Sequence, residues 1–173
     1  MSRLVLGGGC FWCTEAVYVN VKGVSSVVSA YAGGARPNPT YENICTGATG
    51  HAEVIDISYD NEIISLSELL DIFFVIHDPT TLNQQGADRG TQYRSVVYYE
   101  NDEEKEMILN SIKKAQSNFS EKIVTEVSAL PEVYPAETYH QNYYNQNSSQ
   151  GYCQAVIVPK LQKFMTSFPQ NLG

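Results

Sequence analysis

The sequence predicts an α+β protein with helices packed on a central twisted, mixed β-sheet. Three features predict it. Short apolar or β-branched runs bounded by glycines and turn formers alternate with longer stretches of helical period. The two kinds of element do not follow the strict strand–helix–strand rhythm of a parallel sheet. Finally, 173 residues with 43% apolar and 17% charged content are enough to bury one core in one domain, spanning 1–173.

Taken in order, Arg3 to Leu6 reads as a buried strand running into Gly7-Gly8-Gly9. Trp12, Ala16 and Val19 recur at helical spacing and predict the buried stripe of a first helix, ended near Gly23. Val24 to Tyr31 is β-branched and predicts a strand, followed by a turn-rich loop from Gly33 to Thr40. Ala52 to Tyr59 alternates, with Glu53, Ile55, Ile57 and Tyr59 on one face. Ser65 and Glu68 form a capping box ahead of an amphipathic helix carrying Leu66, Leu69, Leu70, Phe73 and Ile76. His77 to Gln92 lacks periodicity, and aperiodic segments that long in compact domains are usually functional. Tyr93 to Tyr99 and Val124 to Ser128 read as strands. Asp102 to Ser117 reads as a surface helix with acids first and Lys113 and Lys114 near its end, matching the helix dipole. After Pro135 the chain turns polar and aromatic up to Cys153, and long coil is expected towards the C-terminus.

A net charge of −8 argues against nucleic-acid binding, which needs a basic face. No stretch has the apolar length of a membrane span, and Met1-Ser2-Arg3 leads straight into Leu4-Val5-Leu6 without a secretory segment. The expected location is therefore the cytoplasm, where cysteines are more often catalytic or free than bridged. The chain is expected to be monomeric.

The densest chemistry lies in Gly9-Cys10-Phe11-Trp12-Cys13. A thiol at the first turn of a helix faces unpaired backbone N–H groups and the positive end of the helix dipole. Cys10 is therefore expected to be a low-pKa nucleophile. Phe11 and Trp12 can wall a small apolar pocket. Cys13 could bridge to Cys10 as a redox pair or be a plain helix residue; zinc ligation would need a second cysteine pair, and Cys45 and Cys153 are isolated. Cys153, late in a polar segment, suits a mobile arm that attacks an oxidised partner, while Cys45 reads as packing. Glu53 shares its strand face with apolar residues. Burial would keep it neutral, the condition for a general acid near neutral pH. Tyr41 and Tyr93 flank the glycine-rich loops and could donate hydrogen bonds to a reacting oxygen. Asp88 reads by default as a turn residue or an ion pair with Arg89, and His51, His77 and His140 are scattered without a metal spacing.

Gly8-Gly9-Cys10-Phe11-Trp12, Gly50-His51-Ala52-Glu53 and Gly90-Thr91-Gln92-Tyr93-Arg94-Ser95, supported by His77-Asp78-Pro79-Thr80 and Tyr139-His140-Gln141, together resemble the class A peptide methionine sulfoxide reductases. The blocks fall in that family's order over roughly positions 4 to 153. The resemblance implies a two-layer α+β sandwich with a ferredoxin-like core. It also implies reduction of methionine-S-sulfoxide, free or in peptides, as repair of oxidised proteins, with no metal or organic cofactor and with electrons from thioredoxin or a dithiol. Cys10 looks like the nucleophile left as a sulfenic acid, and Phe11 and Trp12 like the walls around the substrate methyl. Glu53 looks like the acid for the sulfoxide oxygen, with Tyr41, Tyr93 and Asp88 around it. Cys153, in Gly151-Tyr152-Cys153, aligns with the family's resolving cysteine and is favoured over Cys13. Cys13 itself departs from the glycine many members carry there, and no recycling cysteine follows Cys153.

Overall fold

In the structure, a computed structural model describing residues 1–173, the chain opens with β1 (Ser2–Gly7), α1 (Phe11–Tyr18) and β2 (Val24–Ala32). A short α2 (Tyr41–Cys45), β3 (Ala52–Tyr59) and α3 (Leu66–Ile76) follow. A small hairpin of β4 (Gln84–Gln85) and β5 (Asp88–Arg89) leads through a tight turn at Thr91–Tyr93 to β6 (Val96–Tyr99). Then come α4 (Asp102–Gln116), β7 (Glu126–Ala129), β8 (Val133–Pro135) and α5 (Tyr143–Asn147). A π-helical stretch at Cys153–Ile157 runs into α6 (Val158–Ser167). No helix is long and apolar enough to cross a membrane.

Six strands form one sheet in the order β7-β6-β1-β3-β2-β8. Only β6 and β7 pair in parallel, so the sheet is mixed, as expected. Strand alternation sorts its two faces. Leu4, Leu6, Ile55 and Ile57 join a 31-residue core with Leu69, Leu70 and Phe73 of α3. Val5, Ala30, Val54 and Val96 belong to a seven-residue cluster packed with Leu130 and Val133. α3 forms where its capping box lies, with both reciprocal bonds between Ser65 and Glu68 present. Losing such a cap costs about 1 kcal/mol.

Three expectations need correction. The stripe of the first helix is wrong: Val19 is 40% exposed and Trp12 only half-buried, whereas Phe11, Cys13, Thr14, Glu15, Ala16, Val17 and Tyr18 are all buried. β2 and β3 pack against α1, and α5, the π-helical stretch and α6 pack against it as well. A helix enclosed all round shows no one-sided period. The strand expected from Tyr93 starts only at Val96, because the Tyr93 N–H turns back to the Gly90 carbonyl. Towards the C-terminus, residues 151–167 are helical rather than coil. Cys153, Ile157, Leu161 and Phe164 recur every three to four residues and are buried, a stripe hidden by the polar stretch before it.

Candidate active site

β1 delivers the chain to the site through its glycines. Gly9 has φ +87°, a conformation open to glycine at little cost, and a side chain there would strike Gln85. The Gly9 N–H bonds the Tyr93 carbonyl at 3.2 Å, fastening the turn to the β5–β6 connection. Cys10 then caps α1 in extended conformation, and its carbonyl accepts the Cys13 N–H at 3.0 Å.

Glu53 stands on β3 directly beneath this helix start. Its Oε1 accepts the Phe11 N–H at 3.1 Å, and the residue is 1% exposed. Burial pushes its carboxyl up to about 8 against that hydrogen bond, and the Asp88 charge adds to the rise. Burial therefore favours the neutral form of this carboxyl.

Cys10 behaves differently from the sequence reading. Burial first, then a hydrogen bond with Cys13 and the Glu53 charge, raise its thiol well above the ordinary value; only the Trp12 N–H lowers it. The magnitudes decide this. A helix terminus contributes about 0.3–2 kcal/mol, whereas full burial can move a pKa by up to about 3–5 units, each worth about 1.4 kcal/mol. The first helical N–H is moreover occupied by Glu53. Burial therefore favours the protonated thiol at Cys10 in the free, reduced protein.

The tyrosines named from the sequence converge here. Tyr41 opens α2 and Tyr93 closes the turn before β6. Burial raises both hydroxyls, and an ionised Glu53 would raise them further, so both stay protonated. Asp88 is not an ion-pair partner of Arg89. It accepts the Tyr152 hydroxyl at 2.7 Å, and the same hydroxyl lies 3.5 Å from the Cys13 sulfur. Asp88, Tyr152, Cys10, Cys13 and Lys160 line a cavity of about 260 Å³. Glu53, Tyr41 and Tyr93 are not among its walls.

Phe11 is fully buried, with its ring 5.2 Å from that of His140 and 5.6 Å from that of Tyr31. Trp12 donates its indole N–H to His140 Nδ1 at 3.0 Å and stacks on Tyr143 at 3.8 Å with rings 6° from parallel. His140 therefore carries its proton on Nε2, a buried donor without a protein partner. All four cysteines are free, and Cys45 is exposed. Cys153 is wholly buried at the head of the π-helical stretch, in the same cluster as Cys10 and Cys13, rather than on a mobile arm.

Three functional supports escaped sequence reasoning. Buried Glu15 accepts the Asn142 and Tyr143 N–H groups at 2.9 and 3.2 Å and binds the C-terminal segment to α1. Glu137 accepts the Tyr41 N–H and the Tyr31 hydroxyl, both at 2.9 Å. His140 orients Trp12. An acid inside the apolar first helix was the only signal for Glu15; the other two sit in a stretch whose fold is set by distant partners.

A family model described as peptide methionine sulfoxide reductase matches residues 2–172. The chain is 55% identical over 170 residues to the peptide methionine sulfoxide reductase MsrA of Polynucleobacter asymbioticus, covering 97% of this chain and 90% of the relative. The crystal structure of reduced Mxr1 from Saccharomyces cerevisiae superposes with a TM-score of 0.84 at 36% identity, covering 88% of each chain. Mxr1 in complex with Trx2 superposes with a TM-score of 0.59 at 26% identity, covering 82% of this chain and 84% of that one. With a family model spanning nearly its whole length and a relative more than half identical, this chain belongs to the peptide methionine sulfoxide reductase family.

Proposed function

We propose that the protein reduces methionine-S-sulfoxide, free or in peptides, with Cys10 as nucleophile and Glu53 as the acid that protonates the sulfoxide oxygen. One observation carries the reading: a fully buried carboxyl, which burial pushes up to about 8, accepts the first N–H of the helix that Cys10 caps. A sulfoxide oxygen leaves sulfur only when protonated, and thiolate attack needs no opposing charge nearby. Protonated Glu53 meets both needs, because it supplies the proton and no longer opposes Cys10 ionisation. Tyr41 and Tyr93 hold the oxygen by hydrogen bonds, and Phe11 and Trp12 hold the methyl. In the balanced step the oxygen passes to Cys10 as a sulfenic acid, methionine is released, and sulfur is reduced by the two electrons Cys10 gives up.

A second cysteine, Cys13 or Cys153, then forms a disulfide with Cys10. Thioredoxin is the proposed reductant, supported by the complex of Mxr1 with Trx2; a small dithiol serves in its place, with no other cofactor. The reading takes 1–173 as one catalytic domain, acting as a monomer in the cytoplasm. Its central strands β6-β1-β3-β2, crossed by α1 and α3, are read as a ferredoxin-like core.

Single-turnover assays with each sulfoxide epimer test this. One methionine per protein is expected from the S epimer, none from the R epimer, and none from Cys10→Ser. Equal reduction by Cys10→Ser would refute the reading.

A further inference from the structure

We infer that Lys160 is a positioning residue for the thiol-exchange half of the cycle, holding Cys13 as the thiolate that attacks oxidised Cys10. The proposal rests on Cys10 being the nucleophile. Lys160 lies on α6 and is half-buried. Its ammonium donates to the Ile76 carbonyl at 2.9 Å and forms no salt bridge. It lines the 260 Å³ cavity together with Cys10 and Cys13.

The surroundings divide the two thiols. A hydrogen bond from Cys10 and the Lys160 charge lower the Cys13 thiol below the ordinary value against burial and Asp88; the Tyr152 hydroxyl 3.5 Å away gives its proton to Asp88. The Cys10 thiol is raised, chiefly by burial, so the anion of the pair belongs on Cys13. Cys153 is raised by burial and by the Cys13 charge, which makes it the slower attacker. The other titratable groups acting on Lys160 are Asp88, Lys163 and the two cysteines, and its charge in turn reaches His77 and Asp78.

In the step itself the Cys13 thiolate supplies the electron pair of a new S–S bond to Cys10. The S–O bond of the Cys10 sulfenic acid breaks, and the departing hydroxide takes one proton and leaves as water. Cys13 is oxidised to the disulfide level and the sulfenic sulfur is reduced to it. The stable product is a Cys10–Cys13 bridge lining the same cavity.

The test compares the unsubstituted protein with Lys160→Met and Lys160→Arg after one equivalent of methionine-S-sulfoxide. Methionine release reports Cys10 chemistry, and sulfenic acid captured by dimedone over time reports its resolution. Lys160→Met is expected to release methionine at the normal rate and to resolve the sulfenic acid at least about tenfold more slowly, with Lys160→Arg largely restoring the rate. Unchanged resolution in Lys160→Met, or a proportional slowing of both steps, would overturn the proposal. Absence of methionine release from the unsubstituted protein would instead defeat the reading of Cys10. Should Lys160→Met not fold, peptide-resolved alkylation of the reduced parent protein decides. Cys13 must react at lower pH than Cys10, and the reverse order overturns the proposal. The first disulfide found by mass spectrometry must likewise join Cys10 to Cys13 rather than to Cys153.

Discussion

The two sides of Cys10 are built to opposite electrostatic ends. On one, Glu53 is buried, bonded to a backbone N–H and pushed up to about 8. On the other, Cys13 lines a cavity with the Lys160 cation, which favours its charge. One helix terminus serves both sides: its first N–H goes to the acid, while the next turn presents Cys13. The proposed proton donation and thiolate attack need contrary environments, and Glu53 lies outside the cavity that Cys10 and Cys13 line together.

The largest expected separation between the sides comes from Glu53→Gln. It should slow methionine release by about 10²–10⁴-fold, the usual range for a lost general acid, while sulfenic acid preformed with peroxide still resolves at the parental rate. Rapid-quench measurement of both steps checks this.

Glu15→Ala should come next. It removes the acceptor of the Asn142 and Tyr143 N–H groups, two part-buried hydrogen bonds worth about 0.5–1.5 kcal/mol each. Urea unfolding should register the loss. Because the loosened segment carries Tyr143, Tyr152 and Cys153, disulfide formation should suffer more than methionine release.

Tyr152→Phe should have the smallest effect. It removes the hydroxyl shared by Asp88 and Cys13 and should slow bridge formation by roughly tenfold, the kinetic equivalent of one hydrogen bond to a charged group. Methionine release should not change, and a parallel fall in both steps would erase the distinction between the sides.

What the sequence revealed follows the same division. The Glu53 side rests on local patterns. Strand alternation alone placed Glu53 on a buried face, and the capping box at Ser65 and Glu68 positioned α3 without tertiary information. The Cys13 side rests on contacts between residues far apart in the chain, such as Trp12 with His140 and Asp88 with Tyr152, 128 and 64 positions apart. No local pattern encodes these. The protonation of Cys10 was misread for the same reason: the helix start was visible, but the burial that outweighs it comes from distant segments.

The central claim is that Glu53 is protonated at neutral pH in the reduced protein, and carbon NMR of its carboxyl during a pH titration tests it most directly. Because its pKa is raised on folding, Glu53 contributes stability that is fully present below its unfolded value near 4.5 and is lost as pH rises through its folded value. The resonance should titrate with a midpoint of about 8. A midpoint near 4.5, the value of a solvated carboxyl, would contradict the mechanism.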